Sequence, residues 1–125
     1  MIFDTDVIIW VFRGHEEAAK LVESIDERQI SIVTYMEFIQ GARNRQELKK
    51  IKDFLTDHAF QTLPLTENIG HRAFVYMEEY TLKTALYMAD ALIAATAIEH
   101  HLTLCTANRK HYHQINELNL KIFRP

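Results

Sequence analysis

One cysteine, two prolines and three glycines occur in 125 residues, and each scarcity excludes something. A single thiol, Cys105, cannot close an internal disulfide, so a reducing cytoplasm is the expected setting. So little proline and glycine leaves no material for long linkers or disordered tracts. No apolar run approaches the roughly eighteen residues a membrane span needs; the longest, Ala91 to Ile98, is too short. No signal peptide is visible, because MIFDTD places acids where a secretory signal carries lysines and then an apolar core. Strong positive charge is also missing. The net charge of −3 with histidines neutral argues against strong non-specific binding to nucleic acid. It leaves open an enzyme whose metal ions supply the positive charge at its site.

What is present suits one ordinary globular domain over residues 1–125. Apolar residues make up 48% and charged residues 25%, enough for a real core without staples. There is no internal repeat. Short β-prone runs alternate with longer helical ones, which predicts an α/β domain with a mainly parallel central sheet flanked by helices. Strands are expected at Met1 to Asp4, Ile30 to Val33, Phe60 to Leu65, Leu102 to Cys105 and Leu120 to Phe123. Helices are expected from Asp6 or Val7 to Arg13, closed by Gly14, then at His15 to Ile25, from Thr34 through Ala42, and at Gln46 to Thr56. Thr66 caps a further helix to Tyr80, and another runs from Met88 to His100. A short turn or helix covers Asn108 to His113. The segment ADALIAATAI from Ala89 is apolar on nearly every side, so its helix is buried. A carboxylate at its front, Asp90, needs a reason.

In an open α/β sheet, ligands bind beyond the carboxyl ends of the strands. Asp4 ends the first strand, Glu37 lies one turn into the helix after the second, and Asp90 opens the buried helix before the fourth. Asn108 follows the end of that fourth strand. Carboxylates brought together repel, so one takes up a proton or all share a cation. Hard divalent ions such as Mg²⁺ or Mn²⁺ take oxygen ligands, activate water and clamp phosphate oxygens. Each residue also has a plainer reading. Asp4 or Asp6 could cap the first helix. Thr34-Tyr35-Met36-Glu37 has the capping-box form. Asp90 could cap its helix or pair with a buried arginine, and Asn108 could be a turn residue. The joint placement near strand ends favours a divalent-metal site that cuts nucleic acid.

The same residues carry a resemblance. The chain resembles PIN-domain ribonucleases, in particular the VapC toxins of prokaryotic toxin–antitoxin pairs, over essentially its whole length. IFDTDVII is similar to the family's opening strand and first acid, and SIVTYMEFIQGAR to its second motif with the glutamate. MADALIAATAIEHHLTLCT is similar to the third motif, and TANRKHY to the last. The resemblance implies Asp4, Glu37 and Asp90 as catalytic metal ligands for Mg²⁺ or Mn²⁺, with Asp6 in the outer shell. It implies that Thr5 and Thr106 orient carboxylates or waters. It implies a metal that binds the scissile phosphate and activates the attacking water, RNA (single-stranded or looped, tRNA among the candidates) as substrate, a protein antitoxin that blocks the site, and a twofold homodimer. The last motif departs from the family. Asn108 stands where many members have a fourth aspartate, His111 where many have a further acid, and Tyr112 where Phe is usual. Fewer charges should weaken cation affinity.

Two other functions compete. DTDVI nearly fits the opening of haloacid-dehalogenase-like phosphatases, with Asp4 as nucleophile, but no adjacent acid pair follows the buried helix and the chain is short for that fold. The loss of acid at Asn108 and His111 motivates a PIN-like binding module with weak or no turnover. His100-His101 and His111-x-His113 lack zinc-ligand spacing, and His111 is weighed slightly more as a surface histidine than as a phosphate contact. Cys105 is read as core. Tyr76, Met77, Tyr80, Tyr87 and Met88 are read as core or dimer contacts rather than base-stacking platforms. Arg43, Arg45, Lys49, Lys50 and Lys52 form a basic segment, either a solvated helix face or a surface for RNA phosphates or an acidic partner.

Overall fold

A computed structural model describes residues 1–125. Strands β1 (Ile2–Phe3), β2 (Gln29–Ser31), β3 (Gln61–Leu63), β4 (Leu104–Thr106) and β5 (Leu120–Ile122) alternate with helices α1 (Thr5–Phe12), α2 (Glu16–Ser24), α3 (Ile32–Gly41), α4 (Arg45–Asp57), α5 (Glu67–Tyr80), α6 (Met88–Glu99) and α7 (Arg109–Tyr112). The strands form one sheet in the order β3-β2-β1-β4-β5, and every pairing is parallel. Ile2 lies opposite Leu104, and Phe3 opposite Cys105. From β1 the chain builds outward to β2 and β3, then returns to build β4 and β5 on the other side. The order reverses between β1 and β4, and that reversal opens the crevice where ligands of such sheets bind.

Alternation along the strands sends successive side chains to opposite faces. Ile2, Leu63 and Leu104 join one core cluster, with Ile69, Ala73 and Tyr76 of α5 and the alanine-rich face of α6. Phe3, Ile30 and Cys105 join the other, with Val7, Ile8, Ala18, Val22, Phe38 and Leu55. As its composition requires, α6 is buried from Ala91 through Ala97 apart from Leu92, which is half-buried. Gly14 follows α1 with φ of +81°, a left-handed conformation that a side chain would strain.

Several boundaries differ from the sequence expectation by a residue or two, and two of the shifts matter here. Ile32 and Val33, β-branched and read as strand, form the first turn of α3, because the Ser31 hydroxyl caps the helix by accepting the Val33 N–H at 3.0 Å. Thr34 is therefore inside α3 and fully buried, not its cap. Ile39, an apolar residue of the same helix, is 47% exposed. The fourth strand begins two residues late, at Leu104.

The far end of α6 is closed by a charged network. Arg72 of α5 donates through Nε and Nη2 to Glu99 Oε2 at 3.0 and 2.7 Å. Its Nη1 reaches Glu117 Oε1 at 3.4 Å, and the Tyr76 hydroxyl donates to the same Glu117 oxygen. The network ties α5, α6 and the segment before β5 together.

Candidate active site

The crevice between β1 and β4 is built from the backbone outward. The Asp4 N–H donates to the Cys105 carbonyl at 2.8 Å, extending the β1–β4 ladder by one residue. Asp4 is also the N-cap of α1: its Oδ1 accepts the Thr5 N–H at 2.9 Å. Its Oδ2 accepts the Thr106 hydroxyl at 2.7 Å. Capping thus uses one oxygen and leaves the other to the site. Asp6, two residues along, accepts the Ala107 N–H at 3.0 Å through Oδ2. Its Oδ1 is buried with no partner.

Asp90 also serves its helix with one oxygen and the crevice with the other. Its Oδ2 accepts the Tyr87 N–H at 3.0 Å, and Oδ1 faces the Tyr112 hydroxyl at 3.2 Å. That same hydroxyl is 3.0 Å from Asp4 Oδ2, so a single oxygen atom separates the two carboxylates. Glu37 enters through Thr5, whose hydroxyl donates to Glu37 Oε1 at 2.6 Å and lies 3.1 Å from the Thr34 hydroxyl. The capping-box reading of Thr34 and Glu37 fails, because Ser31 holds that role and Glu37 is turned toward Thr5.

The last motif divides. Asn108 is exposed and its side chain caps nothing; its backbone takes part, the N–H donating to Thr106 Oγ1 at 3.0 Å and the carbonyl accepting the His111 N–H at 3.1 Å. His111 is not the surface histidine weighed above. Its Nδ1 lies 3.1 Å from Asp90 Oδ2, is misaligned for a hydrogen bond, and has no other partner. The ring meets Tyr87 edge-on, with centroids 5.8 Å apart. Tyr87 and Met88 are 67% and 70% exposed, so neither is core, whereas Tyr76 is buried. Sequence reasoning missed Tyr112 as a site residue. Its ring is fully buried, as an aromatic in an apolar pattern should be, and only its place where the family usually has Phe signalled a use for the hydroxyl.

The electrostatics follow from what is missing. No lysine or arginine nitrogen lies within 4 Å of Asp4, Asp6, Glu37 or Asp90. Burial, and then the charge of Asp6, pushes the Asp4 carboxyl up to about 7, against the opposing hydrogen bonds from Thr106, Tyr112 and Thr5. Burial raises Asp6 as well, against the Ala107 N–H. Burial, with Asp4 and Asp90 alongside, drives the Tyr112 phenol well above its ordinary value.

A hard divalent cation fits this donor chemistry. The donors are carboxylate and hydroxyl oxygens, one buried carboxylate oxygen is orphaned, and no guanidinium or ammonium neutralises the cluster. A ready cage does not exist: no three acid, histidine or cysteine side chains stand together as a ligand set. Tyr112 stands between Asp4 and Asp90, and Thr5 between Asp4 and Glu37. The three acids predicted to converge are linked through Tyr112 and through the N–H and hydroxyl of Thr5 rather than packed against one another.

Comparison with known proteins gives the fold its family. Ribonuclease VapC1 of Methanocaldococcus jannaschii is 28% identical over 124 residues, spanning 98% of this chain and 86% of its own length. A chain of a toxin–antitoxin complex from Klebsiella pneumoniae superposes with a TM-score of 0.79 at 30% identity, covering 94% of this chain and 93% of that one. A chain of the DNA-bound VapBC from Salmonella typhimurium shares the fold with a TM-score of 0.80 at 22% identity, covering 97% and 96%. The family model for the PIN domain matches residues 1–117, which removes the haloacid-dehalogenase-like alternative: the chain belongs to the PIN domain family.

Proposed function

We propose that this chain is a Mg²⁺- or Mn²⁺-dependent endoribonuclease that hydrolyses RNA phosphodiester bonds as the toxin of a type II toxin–antitoxin pair. The observation that carries the metal-dependent chemistry is the un-neutralised acid cluster at the switch point of a PIN domain. Asp4 and Asp90, with Glu37, would hold the cation; Thr5, Asp6, Thr106, Asn108 and His111 support them. When bound, the ion supplies charge neutralisation at the scissile phosphate and a more acidic attacking water.

The chain's own groups hold the acids in place. Thr106, Tyr112 and the Thr5 N–H fix Asp4, the Thr5 hydroxyl fixes Glu37, and the Tyr87 N–H fixes Asp90. His111 stands beside Asp90, with its buried Nδ1 3.1 Å from Asp90 Oδ2, where it would steady that carboxylate. In the hydrolysis, water oxygen bonds to phosphorus, the bond to the leaving oxygen breaks, and that oxygen takes a proton.

The partners follow from the same reading: RNA, tRNA among the candidates; a cognate protein antitoxin; and a second copy of the chain. Exposed Phe12, Met36 and Ile39 of α1 and α3, and Phe74 and Met88 of α5 and α6, support pairing surfaces. No helix is long and apolar enough to cross a membrane, and Cys105 is a buried free thiol that burial pushes up to about 12, which suits a reducing cytoplasm.

The binding-module reading keeps one observation in its favour, the lack of a ready ligand cage. Incubation of an RNA pool with purified protein separates the two. Cleavage that needs Mg²⁺ or Mn²⁺, stops with chelator, and is lost in Asp4→Asn and Asp90→Asn is the expected result. Equal cleavage by wild type and Asp90→Asn would mark a contaminant, and no cleavage of any RNA by clean wild type would favour the binding module.

A further inference from the structure

Tyr112 is buried beside two acids that nothing else joins. Its ring belongs to the core cluster that holds Ile115 and Leu118 and is fully enclosed, so the hydroxyl cannot swing to solvent as an exposed tyrosine would. The hydroxyl stands 3.0 Å from Asp4 Oδ2 and 3.2 Å from Asp90 Oδ1. A phenol has one proton, so it donates to one carboxylate at a time. Asp4 Oδ2 also accepts Thr106, so with Tyr112 donating both of its lone pairs are filled. Mg²⁺ bonds oxygen ligands at about 2.1 Å and needs those same lone pairs free. The two oxygens through which Asp4 and Asp90 face each other are therefore the ones the phenol engages.

We infer that Tyr112 is a positioning residue whose hydroxyl competes with the divalent cation for Asp4 and Asp90, holding the cation-free pair together while weakening its grip on metal. The inference rests on the reading of Asp4 and Asp90 as cation ligands. It also accounts for the missing cage: the phenol spaces the acids at hydrogen-bond rather than coordination distances.

Calorimetric titration of the full chain with MnCl₂ tests it, using wild type, Tyr112→Phe and Asp90→Asn. Phenylalanine keeps the buried ring and removes only the competing oxygen. Tyr112→Phe should bind Mn²⁺ about tenfold more tightly, the size expected for removing one hydrogen bond to a charged group. Its cation-free melting temperature should fall, and its rise on adding Mn²⁺ should exceed that of wild type. Wild-type binding that depends on Asp90, with equal or weaker binding in Tyr112→Phe, overturns the inference and leaves the metal site standing. No Mn²⁺ binding by either protein overturns both. If Tyr112→Phe does not fold, 3-fluorotyrosine at position 112 reports directly: its ¹⁹F resonance should shift on Mg²⁺ addition in the otherwise native chain, and an unmoved resonance overturns the inference.

Discussion

Helix α6 carries an acid near each end, and the two ends satisfy that acid in opposite ways. Glu99 meets a guanidinium: Arg72 gives it two hydrogen bonds and also reaches Glu117. Asp90, nine residues earlier and about 13 Å away along the axis, meets a backbone N–H, a phenol and a misaligned imidazole. One end is a finished ion-pair network that fastens helices to the segment before β5. The other is a cluster of acids held by neutral donors, with a buried carboxylate oxygen still unpaired nearby. Acids in a small fold are ordinary. Acids gathered without a cation of the protein's own are what point to a ligand.

The sharpest way to break this contrast is to remove the charge at each end in turn. Asp90→Asn keeps the size of the side chain and should lower RNA cleavage on the order of a thousandfold, about 4 kcal/mol of barrier, with little loss of stability. Glu99→Gln should do the reverse. It leaves Arg72 short of a charged partner in a half-buried setting, costs about 1–3 kcal/mol of folding stability, and leaves cleavage at the wild-type rate under conditions where the variant is folded. Cleavage assays paired with urea unfolding measure both. Loss of activity in Glu99→Gln at full folding would erase the distinction.

The acid cluster should also answer to pH, through Asp4. In the native chain the Asp4 carboxyl is pushed up to about 7 from an ordinary value of 3.8. Between those values the native state holds a proton that the unfolded chain has released. Asp4's contribution is thus present in full below about 4 and declines as pH rises, by roughly 1.4 kcal/mol per unit, levelling off above about 7. Cation-free protein should therefore have a higher urea midpoint at pH 5 than at pH 8, and millimolar Mg²⁺ or Mn²⁺ should restore part of the loss at pH 8. Asp4→Asn should flatten the profile. A flat profile in wild type would mean that Asp4 is ionised throughout.

A smaller effect is expected where the site is held rather than formed. Thr5→Val keeps the β-branched shape and removes the hydroxyl that donates to Glu37 at 2.6 Å. Loss of such an orienting contact costs roughly ten- to a hundredfold in activity or cation affinity, and the lower end is expected because Glu37 remains. Steady-state cleavage with the Mg²⁺ dependence recorded separates a weakened cation site from a slowed reaction. An unchanged rate would leave Glu37 outside the working site.

The sequence carried the architecture well because two periodicities alternate along it. The α/β order, the buried α6 and the placement of Asp4 and Asp90 at element ends follow from apolar spacing and from charge in apolar surroundings. It was weaker where one residue type serves two roles. Ile32 and Val33 look like strand by their branching, but Ser31 caps a helix that takes them into its first turn, where packing of Val33 outweighs its propensity. That shift is what frees Glu37 from the capping box. Tyr112 was illegible for a related reason. Spacing assigns its ring to the core, correctly, and says nothing of where a single hydroxyl points. His111 erred the same way, since polarity predicts a surface and only the turn of α7 brings the ring to Asp90.

The smallest expected effects concern the basic face of α4, which resembles the Arg72 end in charge but not in burial. Arg43, just ahead of α4, pairs with Glu47 at 2.8 Å, and Lys49 within it with Asp53 at 2.7 Å, both at an exposed surface where such pairs are solvent-screened. Lys50 and Lys52 have no acid within 4 Å. Lys49→Ala should give an unfolding midpoint indistinguishable from wild type and should not alter how RNA binding varies with salt. Lys50→Ala and Lys52→Ala should leave folding alone too, but if this face tracks the RNA backbone each should lower the magnitude of the salt slope by about 0.7, the value for one phosphate contact on a single strand. Binding isotherms at several salt concentrations, measured with Asp90→Asn so that the RNA is not cut, decide it. Identical slopes in all three variants would assign the face to solvent.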